Sequence, residues 1–486
     1  MKKILLPLVI LVAIVAAAVP SIFGLKAEDV YREQLAGFAI PGILKVEVLS
    51  YERGWLSSKA QVLIELEAGG AALLNPELKK LTTYLLQDTI YHGPFTLALG
   101  EFATLASPTL ALAVVDSVLF FDDEPDLYRA LFGEAPLFIA RSTVDFSGGM
   151  HSIVYSQPMT AEIAELGATI DWKGFRLDSE LAGQQFGYTV AGDGLTVKGE
   201  GIDFELYRWR EEGQLTLHSG GPITGDVTGS MDGASASDGT SALLEFGGLT
   251  YEKASRLQGG LLAGEFSMKA APVVVMGEAY GPTVLKAEVS NVAAAQLTTL
   301  VHSLNRSFAE RPFTNQESQE EGGAGGLIEM LSESDALLLI EALRASPRFA
   351  LSEFSFKTAK GDTTGRADVG FDGEGLPEKL SSEELVKRVY AEWNFQLPLE
   401  LALKLVSSTP EVQQQAIGQL LAKNPNAFPS PRQIAALTRE LAQALIDTFT
   451  QQGYILTAPQ TLTISGSLRD ATLTVGTQAL PLGEEP

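Results

Sequence analysis

Apolar and polar residues alternate with a period of two over much of this chain. Between residues 56 and 67 the pattern is clean. Leu56, Ser58, Ala60, Val62, Ile64 and Leu66 fall on one side, and Ser57, Lys59, Gln61, Glu65 and Glu67 fall on the other. That period marks a half-buried strand of an antiparallel sheet. Residues 43–49 supply a first arm and Tyr51-Glu52-Arg53-Gly54 a turn, so a hairpin is expected here. Leu63 interrupts the polar side, which implies partial cover. From about residue 135 to 290, runs such as LFIARSTVDF, ATIDWKGFRL, IDFELYRW and ALLEFGGLTYE recur between glycine-rich turns. Spacing of this kind predicts an antiparallel meander, sandwich or open groove. No motif of fixed length accompanies it, so it is not a strict repeat.

Other stretches change the period. Residues 26–42 read as a short helix with Val30, Leu35 and Phe38 on one side, ended by Pro41-Gly42. Residues 75–90 read as a helix capped by Asn75 with Pro76 at its first position. Strands are expected near 95–99 and 109–121, with an acidic turn at 121–126. The segment 219–241 is so poor in apolar residues that an exposed loop or edge hairpin is expected. Helices are expected at 292–310 and 327–345, strands at 349–358 and 364–373, and a helical block from Pro377 to about Gln452. That block is divided at Pro398, Pro410 and Pro425 to Pro431. Its last helix carries an apolar stripe of Ile434, Leu437, Leu441, Leu445 and Ile446, suited to packing on a sheet. A hairpin closes the chain at 462–475. The expected class is α+β, predominantly antiparallel β, as a long curved sheet or a sandwich or groove with packed helices, after one N-terminal transmembrane helix. The expected division is 1–25 as anchor or signal, 26–313 as a β-rich domain, 314–326 (TNQESQEEGGAGG) as a flexible connector, and 327–486 as an α+β region.

The N-terminus sets the compartment. Lys2 and Lys3 precede twenty-two uncharged residues, Ile4 to Leu25. As a helix these would span roughly 33 Å, enough for a hydrocarbon core of about 30 Å. The lysines would remain on the cytoplasmic side. A cleaved signal is the alternative, with Ala16 and Ala18 as the cleavage motif and a soluble body as the product. Under either reading the body lies outside the cytoplasm. The formal net charge is −25, with 60 acidic and 35 basic residues. Such a chain repels phosphate backbones, so no nucleic-acid partner is expected. Broad adhesion to anionic headgroups is disfavoured for the same reason. The absence of cysteine excludes disulfides, thiolate metal sites and thiol nucleophiles.

Candidate chemistry is sparse. His92, His151, His218 and His302 show no paired spacing for a metal, and no G-x-S-x-G, phosphate-loop or dinucleotide motif occurs. Asp122, Asp123, Glu124 and Asp126 lack the alternation and glycine of a calcium loop. No catalytic residue, cofactor or metal is assigned. The most distinctive residues are Tyr51, Arg53, Gly54 and Trp55, with His92, Gly93 and Pro94. Gly54 permits a tight turn, Trp55 offers a large apolar surface, and Arg53 can stack on a ring or pair with a carboxylate. They fit either a recognition corner near the membrane or a structural corner that fixes the first hairpin.

With the N-terminal segment, Tyr51-Glu52-Arg53-Gly54-Trp55-Leu56-Ser57-Ser58, Tyr91-His92-Gly93-Pro94 and the closing Gly453-Tyr454…Leu462-Thr463-Ile464-Ser465-Gly466, the chain resembles the YdgA family of proteobacterial envelope proteins. The resemblance is nearly full length. It implies a periplasmic body tethered to the inner membrane and carries over no catalytic residue. In layout the chain is also similar to AsmA-like envelope proteins, which are associated with phospholipid traffic. The expected role is non-catalytic: binding an envelope partner or maintaining the envelope. The alternative is lipid binding or transfer in an apolar β-groove, and a carboxylate-dependent hydrolase ranks below both. The residues do not specify an oligomeric state.

Overall fold

The structure is a computed structural model. It describes residues 44–66, 83–93, 95–96, 109–121, 138–163, 167–199, 201–218, 221–239, 241–275, 278–296, 333–377, 381–423 and 429–482, with Glu28, Asp29, Tyr31, Arg32, Leu35 and a few isolated positions. Residues 1–25 and the connector 314–326 lie outside these. No helix of the described residues is long and apolar enough to cross a membrane. The chain is mostly antiparallel β and divides into two compact units, with a boundary between Ser241 and Ala242.

The first unit opens with β1 (Leu44–Arg53), β2 (Ser57–Leu66) and β3 (Thr83–His92). Then come the short β4 (Phe95–Thr96) and β5 (Thr109–Leu110), which pair with each other, β6 (Ala113–Phe121), β7 (Phe138–Val144) and β8 (Met150–Ser156). In β2, Ser58, Ala60 and Val62 are buried between exposed Lys59 and Gln61, as the alternation requires. The preceding turn lies later than expected, at 54–57, closed by Gly54 N–H donating to the Ser57 carbonyl. Residues 83–92 are a strand where the sequence predicts the end of a helix, and 75–82 lie outside the described residues. The run TYLLQDTIYH is rich in aromatic and β-branched residues, and pairing with β2 and β6 overrides local helix propensity. The described positions between 28 and 35 are helical, as expected.

From β8 onward the strands share one construction. They are β9 (Met159–Ile163), β10 (Ala168–Trp172), β11 (Phe175–Ala182), β12 (Gln185–Gly192), β13 (Leu195–Gly199), β14 (Ile202–Leu206), β15 (Trp209–Leu217), β16 (Ile223–Met231) and β17 (Ala234–Ser237). Two residues separate β8 from β9, β10 from β11, β12 from β13, β14 from β15 and β16 from β17. Pairing continues in register through each gap: Ser156 faces Phe175 as Met159 faces Trp172, and Gly192 faces Trp209 as Leu195 faces Leu206. Backbone bonds cross the gaps, from Lys173 N–H to Gly194 O (3.1 Å) and from Asp232 N–H to Arg208 O (2.8 Å). Each pair of segments is therefore one long strand bent at a two-residue step. Gly174, Gly194 and Gly233 occupy steps at φ of +86°, +120° and +144°. The segment 219–241, expected as loop or edge hairpin, contains β16 and β17, which pair with β15 and β14. Its glycines sit where a sheet must bend, and low hydropathy alone does not report that.

Below the step, opposed residues sort cleanly. Val154, Leu177 and Val190 form one row and Met150, Leu181, Phe186 and Leu215 another, all half-buried. On the opposite face Arg176, Glu180, Arg210 and Glu212 are exposed. Trp172 and Phe175 are three residues apart, so an unbroken strand would place them on opposite faces. Yet Trp172 Nε1 donates to Ser156 Oγ (2.7 Å), and Ser156 shares the row of Phe175. The step thus resets the alternation and keeps the apolar set on one face. On the opposite face, which here also carries buried Val114 and Ile139, Arg141 pairs with Asp116, directly opposite it, through two 2.7 Å bonds in a buried bidentate contact that ties β7 to β6.

The second unit comprises β18 (Ala242–Phe246), β19 (Leu249–Gln258), β20 (Leu261–Ala270), β21 (Val273–Val275) and β22 (Glu278–Ala293), then α1 (Glu333–Leu343), β23 (Arg348–Thr358), β24 (Gly361–Phe371), α2 (Ser382–Arg388) and β25 (Val389–Pro398). The helices α3 (Leu399–Ser407), α4 (Pro410–Lys423) and α5 (Pro431–Gln451) follow, then β26 (Leu456–Ala458), β27 (Thr461–Arg469), β28 (Thr472–Val475) and β29 (Gln478–Pro481). Steps recur at Gly247-Gly248 and Ala271-Pro272, again in register. Three expectations change. Residues 292–293 complete β22, and helix begins at Ala294. Residues 389–398 are a strand within the expected helical block, because Ala391, Trp393, Phe395 and Leu397 alternate with Glu392, Asn394 and Gln396. Of the stripe on the last helix, Ile446 reaches the core beside Ala442, packed with Ala402, Leu403 and Leu462. That cluster seats α3 and α5 on the apolar face of β25 and β27. Ile340, Phe371 and Leu376 form a second small core under α1. A capping box of Ser430 and Gln433 starts α5.

At Gly194 an added Cβ would overlap the Leu206 carbonyl, at a φ that L side chains resist. Gly194→Ala is expected to lower stability by about 1–3 kcal/mol. Lys173→Ala, at an exposed step position, should change it by less than about 0.5 kcal/mol. Urea unfolding of the two variants checks this.

Candidate functional site

The residues singled out in the sequence converge at one corner of the first unit. β1 and β2 pair so that Tyr51 lies opposite Ala60 and Arg53 opposite Ser58, and Asp88 on β3 faces Ala60 from the other side. His92 ends β3 and is buried. Its backbone N–H donates to Leu56 O (2.9 Å), Nδ1 lies 3.3 Å from Trp55 O, and Nε2 lies 2.8 Å from Ser58 Oγ. A carbonyl cannot donate, so Nδ1 carries the proton and Nε2 accepts from Ser58. Burial, the largest influence, holds the imidazole pKa below its ordinary value, which keeps the ring neutral. Gly93 N–H donates to Leu112 O (2.8 Å), and a Cβ on Gly93 would overlap the Ala111 carbonyl. Two motifs nearly forty residues apart in sequence thus lock one turn. Pro94 lies outside the described residues. Trp55 and Leu56, at the tip of the turn, are 57% and 56% exposed.

The corner contains residues the motifs did not identify. Tyr31, from the helical stretch, donates its hydroxyl to Asp88, and its ring lies 5.8 Å from that of Tyr51. Arg32 lies over the Tyr51 ring at 5.5 Å, so the cation on the aromatic face is Arg32 and not Arg53. Burial pushes the Asp88 carboxyl above its usual range, against the opposing effect of hydrogen bonds from Ser117 and Tyr31. The Tyr31 phenol is raised as well, first by burial and then by the nearby Asp88. Reading 75–90 as a helix hides Asp88. The alternation of Tyr84, Leu86, Asp88, Ile90 and His92 is the signal that would have placed it on the inner face. Ser58 is fully buried, so the Ser58–His92 contact orders the turn and offers no accessible nucleophile.

The second feature is the apolar face itself. Its aromatic rings lie across glycines of the neighbouring strand: Trp209 over Gly192 and Tyr188 over Gly213 in the first unit, and Phe395 over Gly365 and Trp393 over Gly466 in the second. Phe138 and Phe175 meet edge to face at 5.2 Å across the intervening β8. The result in each unit is a largely apolar face, or floor, crossed in the first unit by the row of Ser142, Ser152 and Ser179. On the polar face of the second unit, a cleft of about 300 Å³ is lined by Glu288, Arg348, Arg366, Asp368 and Glu392. Arg348 and Asp368 pair there through bonds of 2.8 and 2.6 Å, which leaves the cleft mixed in charge.

A family model described as "Bacterial protein of unknown function (DUF945)" matches residues 1–483. No curated protein and no solved structure matches the chain.

The raised Asp88 carboxyl has a defined sign. Between the ordinary carboxylate pKa and its folded value, the native state retains a proton that the unfolded state releases, so its contribution to stability falls as pH rises through that window. The His92 contribution runs the other way and is lost as pH falls from the ordinary imidazole range toward its lowered folded value. Asp88→Asn is expected to remove the first dependence and leave the second. Unfolding midpoints across pH 4–8 should show wild type gaining on the variant as pH falls; parallel curves would contradict the assignment.

Proposed function

The chain belongs to the DUF945 family of bacterial proteins, and from that premise we propose that it is a non-catalytic envelope protein that binds acyl chains along the apolar face of its sheet. Within this reading the segment Ile4 to Leu25 holds the body at the inner membrane on its periplasmic side, in the manner of the YdgA proteins that the chain resembles. The layout shared with AsmA-like proteins points in the same direction, as analogy.

One observation carries the proposal. The steps keep apolar side chains on one face of the bent strands, and aromatic rings on that face lie over glycines of the neighbouring strand. An unbroken alternation would place Trp172 and Phe175 on opposite faces. A broad apolar face fits an elongated flexible hydrocarbon, whose affinity grows with each buried methylene by about 0.8 kcal/mol. In the first unit the helical stretch with Tyr31 covers the start of this face, and in the second unit α1, α3 and α5 cover parts of it. Most charged residues of these strands lie on the opposite face, and the row of Val154, Leu177 and Val190 ends at Asp88 on one side and Glu211 on the other. Among the described residues, Ser58 and His92 stand within hydrogen-bond distance but are buried in the corner, so the hydrolase reading ranks below this one.

Residues 26–486, expressed with a cleavable export signal, should co-purify with phospholipid detectable by mass spectrometry after solvent extraction. Leu177→Asp combined with Val190→Asp places two carboxylates on the floor and should reduce that lipid at least tenfold. Thr189→Asp, on the polar face, should not. Wild-type protein free of lipid would favour a partner-binding scaffold in its place.

A further inference from the structure

Exposed large apolar side chains of the first unit gather at one end of its strands. Leu56 lies opposite His92 at the head of a cross-strand row that continues through Ala113, Val144 and Met150 to Leu181, Phe186, Leu215 and Gly225. At the head of this row or immediately beyond it lie Trp55 and Leu56 in the first turn, Leu110 before β6, Phe146 in the β7–β8 turn and Ile223 at the start of β16. They are 57%, 56%, 63%, 50% and 59% exposed. Of the exposed large apolar residues described in this unit, only Leu49 and Tyr207 lie elsewhere. Neighbouring strands are spaced about 4.8 Å apart, so the row from β2 to β16 extends for roughly 40 Å.

We propose that this rim is the surface by which the body meets the lipid bilayer. The inference rests on the membrane tether of the preceding reading and adds the orientation of the body on the membrane. Three observations select a bilayer over a protein partner. The apolar residues stand singly at successive strand ends along a line, which suits insertion into an interface and not burial in one compact contact. Trp at such a rim is the side chain that favours the headgroup level. Two of the turns that present them are held by hydrogen bonds: His92 holds Trp55 and Leu56 from behind, and Asp145 accepts backbone N–H bonds from Ser147 (2.8 Å) and Gly149 (2.8 Å) beside Phe146. Tyr31 packs on Tyr51 in the hairpin that carries Trp55, and it follows the uncharged N-terminal segment by six residues. The rim also adjoins the last row of the floor, so a chain leaving the bilayer here would meet Met150, Leu181, Phe186 and Leu215 first. The net charge of −25 leaves apolar insertion, and not attraction to anionic headgroups, as the source of contact.

The absence of cysteine makes the test direct. Full-length chains carrying Phe146→Cys, Ile223→Cys, Lys198→Cys or Ala13→Cys would each be labelled with an environment-sensitive fluorophore and reconstituted in phosphatidylethanolamine–phosphatidylglycerol vesicles. Labels at 146 and 223 should shift to the blue, be quenched by nitroxide lipids and resist aqueous iodide by at least fivefold relative to the label at 198. Labels at 146 and 223 as open to iodide as that at 198, with the label at 13 in lipid, would overturn the rim and leave the tether intact. A label at 13 open to iodide would overturn the tether and the rim with it.

Discussion

A strand can hold an apolar face only while its alternation stays in phase, and strands of about fifteen residues twist too strongly to lie flat. This chain meets both demands with one device. At each two-residue step the backbone bends, usually at a glycine, and the count of residues changes by an odd number. Pairing is preserved because the neighbouring strand steps at the same level, with Lys173 bonded to Gly194 and Asp232 to Arg208. The apolar face then runs past the bend uninterrupted, as the bond from Trp172 to Ser156 shows. Remove the step, and half of each strand would turn its apolar residues toward water.

Much of this was legible in the sequence, and the parts that were not share a cause. The hairpin at β1 and β2 could be read because Ser58, Ala60 and Val62 alternate without interruption. The strands at 348–371 and the closing hairpin were legible for the same reason. The steps were written as short phrases, such as Trp172-Lys-Gly-Phe175 and Met231-Asp-Gly-Ala234, which resemble turns between separate strands. Only pairing in register reveals them as bends within single strands. The stretches at 83–92 and 389–398 were masked by good helix formers and a nearby proline, and long-range pairing settled them as strands. At the corner, motif spacing identified Tyr51, Trp55 and His92, but Tyr31 and Asp88 enter through tertiary contacts that no local pattern records.

The corner and the floor answer to the same constraint at different scales. A sheet whose faces differ so sharply needs a defined start, because a slip of one residue in the first hairpin would invert every row that follows. His92, buried and neutral between Trp55 O and Ser58, fixes that register, and Tyr31 on Asp88 seats the preceding helix on it. Their mutual bonds offset part of the polar cost of burying these groups, while Tyr51 Oη and Asp88 Oδ1 are buried without a hydrogen-bond partner. A turn held in this way is also what the membrane contact proposed for Trp55 requires.

The account stands or falls on the side to which residues above the steps point, and an acyl-chain nitroxide can report it. In cysteine-free protein, fluorophores at Val190 and Val197 flank the step between β12 and β13, with Thr189 and Thr196 as their immediate neighbours. A bound spin-labelled fatty acid should quench 190 and 197 together and spare 189 and 196. Quenching of 190 with 196 instead would mean an unbroken alternation through the step, and the single apolar face would be lost.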